Sequence, residues 1–129
     1  MREILFKAKA KDKPIEWIEG YLSKCEKEFI ICDEEGFGIF IDPKTICQYT
    51  GLTDKNGNMI WENDIIRFND GNECVVRWRY GAFEFLYRAC ANAIYAYVGT
   101  DLYLDDNTLD IEVIGNIFEN PELINRTEL

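Results

Sequence analysis

Short apolar stretches separated by polar, turn-forming residues recur along the chain, and this pattern predicts short β-strands. Within residues 4–10 every second side chain is apolar, a period of two that indicates a strand with one buried face. Apolar runs at 15–22, 29–32 and 38–41 follow, separated by turn-forming residues. They predict an antiparallel β meander that ends at Asp42-Pro43, because proline cannot donate a hydrogen bond to a strand ladder.

The second half of the chain continues this pattern. Runs at 64–68, 74–78 and 83–87 predict three successive antiparallel strands, with turns at Asp70-Gly71 and Tyr80-Gly81 between them. No long helical period is sustained in the sequence, so the fold class that it predicts is mainly β.

The C-terminal third is less regular. Residues 89–104 suit a helix by propensity and a strand by their tyrosines and valine, so both assignments stay open. The acidic stretch 101–110 predicts a loop or one short helical turn, and 111–118 predicts a last strand that is broken by Gly115. The tail from Asn120 is expected to be loose.

The most patterned stretch is YTGLTDKNGNMIWENDII, residues 49–66. Asn56-Gly57 predicts a hairpin with a type I′ turn, which needs positive φ at both central residues. Asn63 predicts a further positive φ, and Asp64 is expected to hydrogen-bond the turn that it leaves. Tyr49, Leu52, Ile60 and Trp61 are expected to anchor the stretch in the core. The predicted structural motif comprises Tyr49, Gly51, Leu52, Asp54, Asn56, Gly57, Trp61, Asn63 and Asp64.

The acidic and amide side chains of this stretch also suggest a calcium loop. An EF-hand places ligands at positions 1, 3, 5 and 12 and glycine at position 6. Counted from Asp54, Gly57 stands fourth and Glu62 ninth, so the turn and the bidentate carboxylate fall at the wrong positions. We therefore interpret the residues as serving backbone geometry, and we predict no metal and no cofactor.

Three segments of the chain resemble one known family. They are residues 48–57 (QYTGLTDKNG), 60–66 (IWENDII) and 113–123 (VIGNIFENPEL), and the opening MREILFKA accompanies them. All are similar to sequences of the YopX family, small proteins that are encoded by bacteriophages and prophages. The resemblance spans nearly the whole chain in the expected order.

The resemblance implies a single domain over residues 1–129. In it, an N-terminal β meander, residues 1–48, packs on an SH3-like roll, residues 49–124. It carries no enzymatic assignment, because the biochemical role of the family is not established. The chain departs from the family at Asn63, where glycine is usual, and at residues 89–97, which resemble nothing in it.

Charge and cysteine content narrow the expected partners and compartment. Fourteen Lys and Arg stand against 24 Asp and Glu, and the formal net charge of -10 disfavours nucleic-acid binding because it repels phosphate. The sequence shows no signal peptide and no long apolar run, so we expect a protein of the bacterial cytoplasm without a membrane partner. Without a C-x-x-C pair, the cysteines are interpreted as buried free thiols: Cys25, Cys32, Cys47, Cys74 and Cys90.

Most side chains that enzymes use for catalysis are missing. The chain has no histidine and a single serine, Ser23, and it has no phosphate-binding or nucleophile motif. Its densest acidic group is interpreted as a solvated face, and we predict no enzymatic activity. That group comprises Asp105, Asp106, Asp110 and Glu112.

Three functions from different classes stay open. The leading hypothesis is a phage or prophage accessory protein that binds an unknown host or phage protein, or copies of itself. The second is an acidic mimic of nucleic acid that blocks a DNA-binding protein. The third is nucleic-acid binding by the SH3-like roll, through Arg67, Arg77, Arg79 and Arg88 beside Trp78 and Tyr80. The predicted interaction surface comprises Arg77, Trp78, Arg79, Tyr80, Tyr95 and Tyr97.

Overall fold

The structure is a computed structural model that describes residues 4–79, 81–86, 91–93 and 102–123, with only the backbone of 91–93. Its strands form two antiparallel sheets, which confirms the mainly β prediction. The chain divides into two compact units, residues 1–49 and 50–129. The packing of a meander on a roll within a single domain stays a prediction.

The first unit contains the meander that the alternation predicts. Its strands are β1 (Phe6–Lys9), β2 (Trp17–Cys25), β3 (Glu28–Cys32), β4 (Gly38–Phe40) and the start of β5 (Cys47–Thr53). Their order in the sheet is β4-β3-β2-β1-β5, and the pairs are antiparallel. A short 3-10 helix, Pro43–Thr45, follows β4. Asp42 is its N-cap, and the Asp42 carboxylate accepts the Lys44 N–H at 3.0 Å. The break predicted at Asp42-Pro43 is therefore confirmed.

One face of this first sheet forms a small core. Cross-strand pairs place Ala8 opposite Ile18 and Leu22 opposite Ile31, and Ala8 and Ile31 have no exposed surface. Because side chains alternate along a strand, the neighbours of these residues point to the other face. The core cluster comprises Ala8, Ile31 and Ile41, with Phe6, Ile18, Leu22, Phe29 and Ile46 packed against it.

The second unit contains the end of β5 and six further strands. These are β6 (Met59–Trp61), β7 (Asp64–Arg67), β8 (Glu73–Arg79), β9 (Ala82–Leu86), β10 (Ala91–Ala93) and β11 (Glu112–Asn116). Strand β6 lies beside β5, and the others form a sheet in the order β10-β9-β8-β7-β11. The three successive strands predicted from the sequence are confirmed as β7, β8 and β9.

The ends of this second sheet settle several predictions. Its register shifts between Val113 and Gly115, so the last strand is interrupted as predicted. Residues 102–110 form a loop with two isolated bridges, one from Tyr103 to Leu109 and one from Thr108 to Thr53 on β5. The expected loose tail is wrong at its start, since the Asn120 N–H donates to the Asn116 carbonyl at 2.9 Å.

Other expectations fall outside the described part of the chain. Tyr80, which is half of a predicted turn, lies outside it, and so does most of 89–104; of that stretch, Ala91–Ala93 pairs with β9. Neither sheet closes on itself within the described residues, so the SH3-like roll stays a prediction.

The second unit is built around a larger apolar core. Phe68 and Phe85 meet edge to face in it, with ring centroids 5.3 Å apart. Burial of aromatic and branched side chains is the main favourable term in folding. The buried cluster comprises Ile60, Ile66, Phe68, Cys74, Val76, Phe83, Phe85, Leu109 and Ile111.

The cysteines are only partly as predicted. Cys47 and Cys74 are buried, and burial raises the pKa of the Cys74 thiol, which keeps it protonated and unreactive. Cys25 is exposed and Cys32 half-buried, so the prediction of buried thiols is wrong for these two. The reason is position: Cys25 ends β2 beside a turn, beyond the reach of the core. Cys90 lies outside the described residues.

Gly20 allows β2 and β3 to approach each other closely. A Cβ atom on Gly20 would lie 2.2 Å from the carbonyl oxygen of Cys32. A backbone oxygen held in a sheet cannot rotate aside, so a side chain here would push the strands apart.

Gly20→Ala is expected to lower the free energy of unfolding by about 1–3 kcal/mol, because of this overlap. Ser23→Ala, an exposed substitution on the same strand, is the matched control and should change it by about 0.5 kcal/mol or less. Urea denaturation followed by tryptophan fluorescence measures both. Equal midpoints for the two variants would contradict the close approach of the strands.

Candidate functional site

The patterned stretch forms a hairpin between β5 and β6. Gly57 has φ 84° but Asn56 has negative φ, so the predicted type I′ turn is wrong. The N–H of Gly57 donates to the Asp54 carbonyl at 3.0 Å, and the Asp54 N–H donates to the Asn58 carbonyl at 2.8 Å. This pattern fits a type I turn followed by a glycine bulge, which needs only one residue with positive φ. The hairpin itself is confirmed.

The carboxylate of Asp54 organises this turn and holds it against β11. Its side chain is fully buried. Oδ1 accepts the backbone N–H groups of Asn56 at 2.9 Å and Asn58 at 2.8 Å. Oδ2 accepts the Val113 N–H at 2.9 Å and the Asn58 side-chain amide at 3.2 Å. One side chain therefore joins two signature segments that are distant in sequence.

These contacts set the protonation state of Asp54. Burial raises the pKa of the carboxyl, but hydrogen bonds from Val113, Asn58 and Asn56 oppose burial and leave the pKa below its ordinary value. A carboxylate in this setting stays charged at neutral pH. Because its oxygens already accept four donors, it is poorly placed to bind a cation or to transfer a proton.

The turn from β6 to β7 fulfils both predictions made for it. Asn63 has φ 73°, and Asp64 Oδ2 accepts the Trp61 N–H at 2.8 Å. The Asn63 carbonyl accepts the Ile117 N–H at 3.1 Å, and its side-chain oxygen accepts Nη1 of Arg77 at 3.2 Å. Like the first turn, this one uses polar groups to hold the main chain.

The remaining motif residues also have structural roles. Tyr49, Ile60 and Trp61 are buried and Leu52 is half-buried, as expected of anchors. Gly51 has a φ of 86°, which other residues rarely adopt, so this glycine serves backbone geometry as expected for the stretch.

Sequence reasoning missed the structural role of Thr50. Its hydroxyl donates to the Ile60 carbonyl at 2.7 Å and accepts the Leu52 N–H at 3.1 Å, so it bridges β5 and β6. The threonine-glycine pair was the available signal, because short hydroxyl side chains commonly bond to nearby backbone.

The third signature segment caps the end of β11. Asn116 Oδ1 accepts the N–H groups of Phe118 and Glu119, each at 2.9 Å. The Asn120 side-chain oxygen accepts the Asn116 N–H at 3.2 Å. A Cβ atom on Gly115 would lie 2.3 Å from that same oxygen, so glycine makes room for the cap.

Within the described residues, no group of three or more Cys, Asp or Glu side chains is arranged to hold a metal ion. Asp105 and Asp106 are exposed on their loop, and hydrogen bonds from Asn107 and Thr108 lower the pKa of the Asp105 carboxyl. Asp110 is half-buried, and its carboxylate accepts a hydrogen bond from the Asn69 side-chain amide at 2.7 Å.

Among the residues that the structure describes, none of the helices has the length and apolar character needed to span a membrane.

The predicted interaction surface is described only in part. Arg77, Trp78 and Arg79 lie on β8, whereas Tyr80, Tyr95 and Tyr97 lie outside the described residues. Trp78 is 41% exposed and rests edge-on against Phe83, with centroids 4.7 Å apart.

The described arginines of the proposed basic surface already contact acceptors. Arg79 Nε lies 3.5 Å from Glu84 Oε2, and Arg67 Nη2 lies 2.9 Å from Glu73 Oε2. These two ion pairs reduce the positive potential that nucleic-acid binding through the arginines would need, whereas Arg77 donates to the uncharged amide of Asn63. Arg88 lies outside the described residues.

Sequence reasoning missed an exposed apolar surface on the first unit. On the sheet face opposite the core, Tyr21, Cys32 and Gly38 are cross-strand neighbours, and so are Ile30 and Phe40. Tyr21 is 57% exposed and Phe40 44% exposed. We call these five residues the β2–β4 face. The available signal was the loss of alternation in β2, β3 and β4, where neighbouring residues are both apolar.

Asp54→Asn is expected to lower the free energy of unfolding by about 2–4 kcal/mol. The NH2 group of the new amide would replace one carboxylate oxygen, and it cannot accept a hydrogen bond from the two donors that this oxygen now serves. Asp70→Asn is the matched control. Asp70 holds the next hairpin in a similar way, through the Asn72 N–H at 2.9 Å, but it is exposed. It should cost about 1 kcal/mol or less. Equal losses in urea denaturation would contradict the central role of Asp54.

The contribution of Asp54 to stability is expected to depend on pH. Its folded pKa lies below the ordinary aspartate value of about 3.9, so its stabilising effect is complete well above that pH and is lost as pH falls through the folded pKa. The stability difference between the wild type and Asp54→Asn should therefore narrow below about pH 4. Urea unfolding of both proteins between about pH 7 and pH 3 measures it. A difference that widens on acidification would contradict the lowered pKa.

Comparison with known proteins agrees with the arrangement of these segments. A family model described as YopX protein matches residues 3–125. The crystal structure of protein EF1440 from Enterococcus faecalis has a similar fold, with a TM-score of 0.58 and 23% sequence identity over 96% of this chain and 99% of that chain. No curated protein shows a significant match. Because the family match covers nearly the whole chain, this protein belongs to the YopX family.

Proposed function

We propose that this chain is a non-enzymatic accessory protein of a bacteriophage or prophage that binds another protein in the bacterial cytoplasm. The observation that carries the proposal is the β2–β4 face, where Tyr21 and Phe40 are 57% and 44% exposed. The SH3-like roll that the family resemblance implies for residues 49–124 is part of the same proposal.

Covering the exposed aromatic side chains of the β2–β4 face would favour the binding of a partner. Aromatic side chains can each bury about 150–250 Å² in a core or interface, and contiguous apolar patches on soluble proteins often mark interaction sites. Tyr21 and Phe40 lie on strands of one sheet, with Ile30 and Cys32 half-buried on the strand between them. A rigid sheet face of this kind can bind a partner at a small cost in conformational entropy.

The signature segments support a scaffold rather than an active site. Asp54, Asp64, Asn116 and Asn120 direct their side-chain oxygens at backbone N–H groups. Catalysis needs such groups to face a substrate and to change protonation state, and these groups face the main chain instead.

The proposal allows two kinds of partner. A second copy of the chain would give a homo-oligomer, and a host or phage protein would give a mixed complex. The net charge of -10 also supports the alternative of an acidic mimic of nucleic acid, in which carboxylates rather than apolar side chains make the contacts. Direct nucleic-acid binding has less support, because Arg67 and Arg79 are ion-paired.

Site-specific photo-crosslinking in bacterial cells tests the proposal. A benzophenone amino acid replaces Phe40 in one variant and the exposed loop residue Asn107 in the control. We expect discrete protein adducts from position 40, with a host or phage protein or with a second chain, and none at matching intensity from position 107. Adducts from neither position, or the same adducts from both, would overturn the proposal.

A further inference from the structure

We propose that the β2–β4 face binds a partner segment that carries apolar side chains next to a lysine or arginine. This inference rests on the proposed function and specifies the chemistry of the partner. It combines two features of the first unit that meet at Tyr21: the apolar β2–β4 face and an acidic cavity beside it.

The face itself explains why the partner must be apolar. Gly38 contributes no side chain, so the row from Tyr21 through Cys32 ends at bare backbone on β4, and the side chains of β3 lie close over it. A Cβ atom at Gly38 would lie 3.1 Å from the Ile30 side chain and 3.7 Å from the Cys32 sulfur. An aliphatic or aromatic side chain of a partner can lie on the surface between Tyr21 and Phe40 and cover apolar area that is now exposed to water.

The cavity explains why the partner must also be cationic. It has a volume of about 500 Å³ and is lined by Leu5, Glu19, Gly20, Tyr21, Asp33, Glu34 and Glu35. Its lining thus includes four carboxylates and, among the described residues, no lysine or arginine. Asp33 Oδ1 accepts the N–H groups of Glu35 and Phe37, each at 2.9 Å. These bonds hold the acidic loop against the end of β3.

Charge complementarity selects among the occupants. Four carboxylates around one cavity attract a guanidinium or ammonium group, and the aromatic ring of Tyr21 at the border of the cavity can add a cation–π contact. A second copy of this chain, with its net charge of -10, would meet general repulsion. A small inorganic cation would leave the apolar face uncovered. A basic and apolar segment of another protein satisfies both features.

One short segment can reach both features because Tyr21 borders each of them. An extended peptide advances about 3.3 Å per residue, so an apolar residue and a cationic residue that are one to three positions apart would fit. Tyr21 would contact both. The expected recognition sequence is therefore short, with one or two apolar positions and a single Lys or Arg beside them.

Selection from a random peptide library displayed on phage particles tests this inference. The full chain is immobilised, and the variant Tyr21→Ser/Phe40→Ser serves for counter-selection. Both residues are exposed, and urea denaturation checks that this variant remains folded. Enriched peptides are synthesised and titrated against the wild type, the double-serine variant and Glu34→Gln/Glu35→Gln by fluorescence anisotropy. A version of each peptide with Glu in place of its Lys or Arg is the matched control.

We expect a consensus that pairs apolar residues with Lys or Arg. Its affinity should fall at least tenfold in the double-serine variant and about three- to tenfold in the double-glutamine variant, in line with modest energies for exposed charges. Added salt should weaken binding to the wild type more than to the double-glutamine variant. Enrichment of neutral or acidic peptides, or equal affinity for the control peptides, would overturn the inference.

The outcomes separate this inference from the proposed function. If crosslinking at position 40 gives adducts but the selected peptides lack a cationic residue, the protein-binding role stands and the partner chemistry is wrong. If basic peptides bind the double-serine variant as well as the wild type, the contact is only electrostatic attraction to an acidic surface, and the inference fails. If position 40 gives no adducts, the proposed function fails on its own ground.

Discussion

The buried carboxylate of Asp54 is the contact on which the second unit depends. It accepts hydrogen bonds from the turn after β5 and from Val113 on β11, so a local turn and a long-range contact share one side chain. Such a group is costly to bury without partners, and it contributes to stability only while its acceptor positions are filled. The fold therefore constrains the residues around it, and Gly57, Asn58 and the start of β11 follow from that one requirement.

The same principle extends to the other signature segments. Asp64 holds the turn at Asn63, and Asn116 holds the turn after β11. These side chains are acidic or amide and cluster in sequence, which makes them resemble the ligands of a binding site. In the structure they accept hydrogen bonds from backbone N–H groups, which is a structural duty. The residues that we propose for recognition lie elsewhere, on the β2–β4 face of the first unit, where apolar side chains are exposed to water.

The elements that the sequence predicts well depend on local rules. Alternation located β1, and short apolar runs between turn residues located β2, β3, β4, β7, β8 and β9. Asn63 was predicted to have positive φ because few other residues tolerate it. The type I′ turn was wrong because the Asp54 carboxylate closes a turn one residue earlier, by accepting the Asn56 and Asn58 N–H groups. The contact between Asp54 and Val113 could not be predicted, because it joins residues that are distant in sequence. The exposed face was missed for a related reason, since apolar residues on both sides of a strand do not reveal which side the core will cover.

The central claim is that the Asp54 carboxylate is charged and saturated by hydrogen bonds from the main chain. The most direct measurement is an NMR titration that follows the side-chain carboxyl carbon of Asp54, without and with added calcium or magnesium. We expect a pKa below the ordinary aspartate value and a resonance that added cation does not shift. A pKa at or above that value, or a saturable shift of the resonance with cation, would contradict the claim and point to a ligand site in the signature.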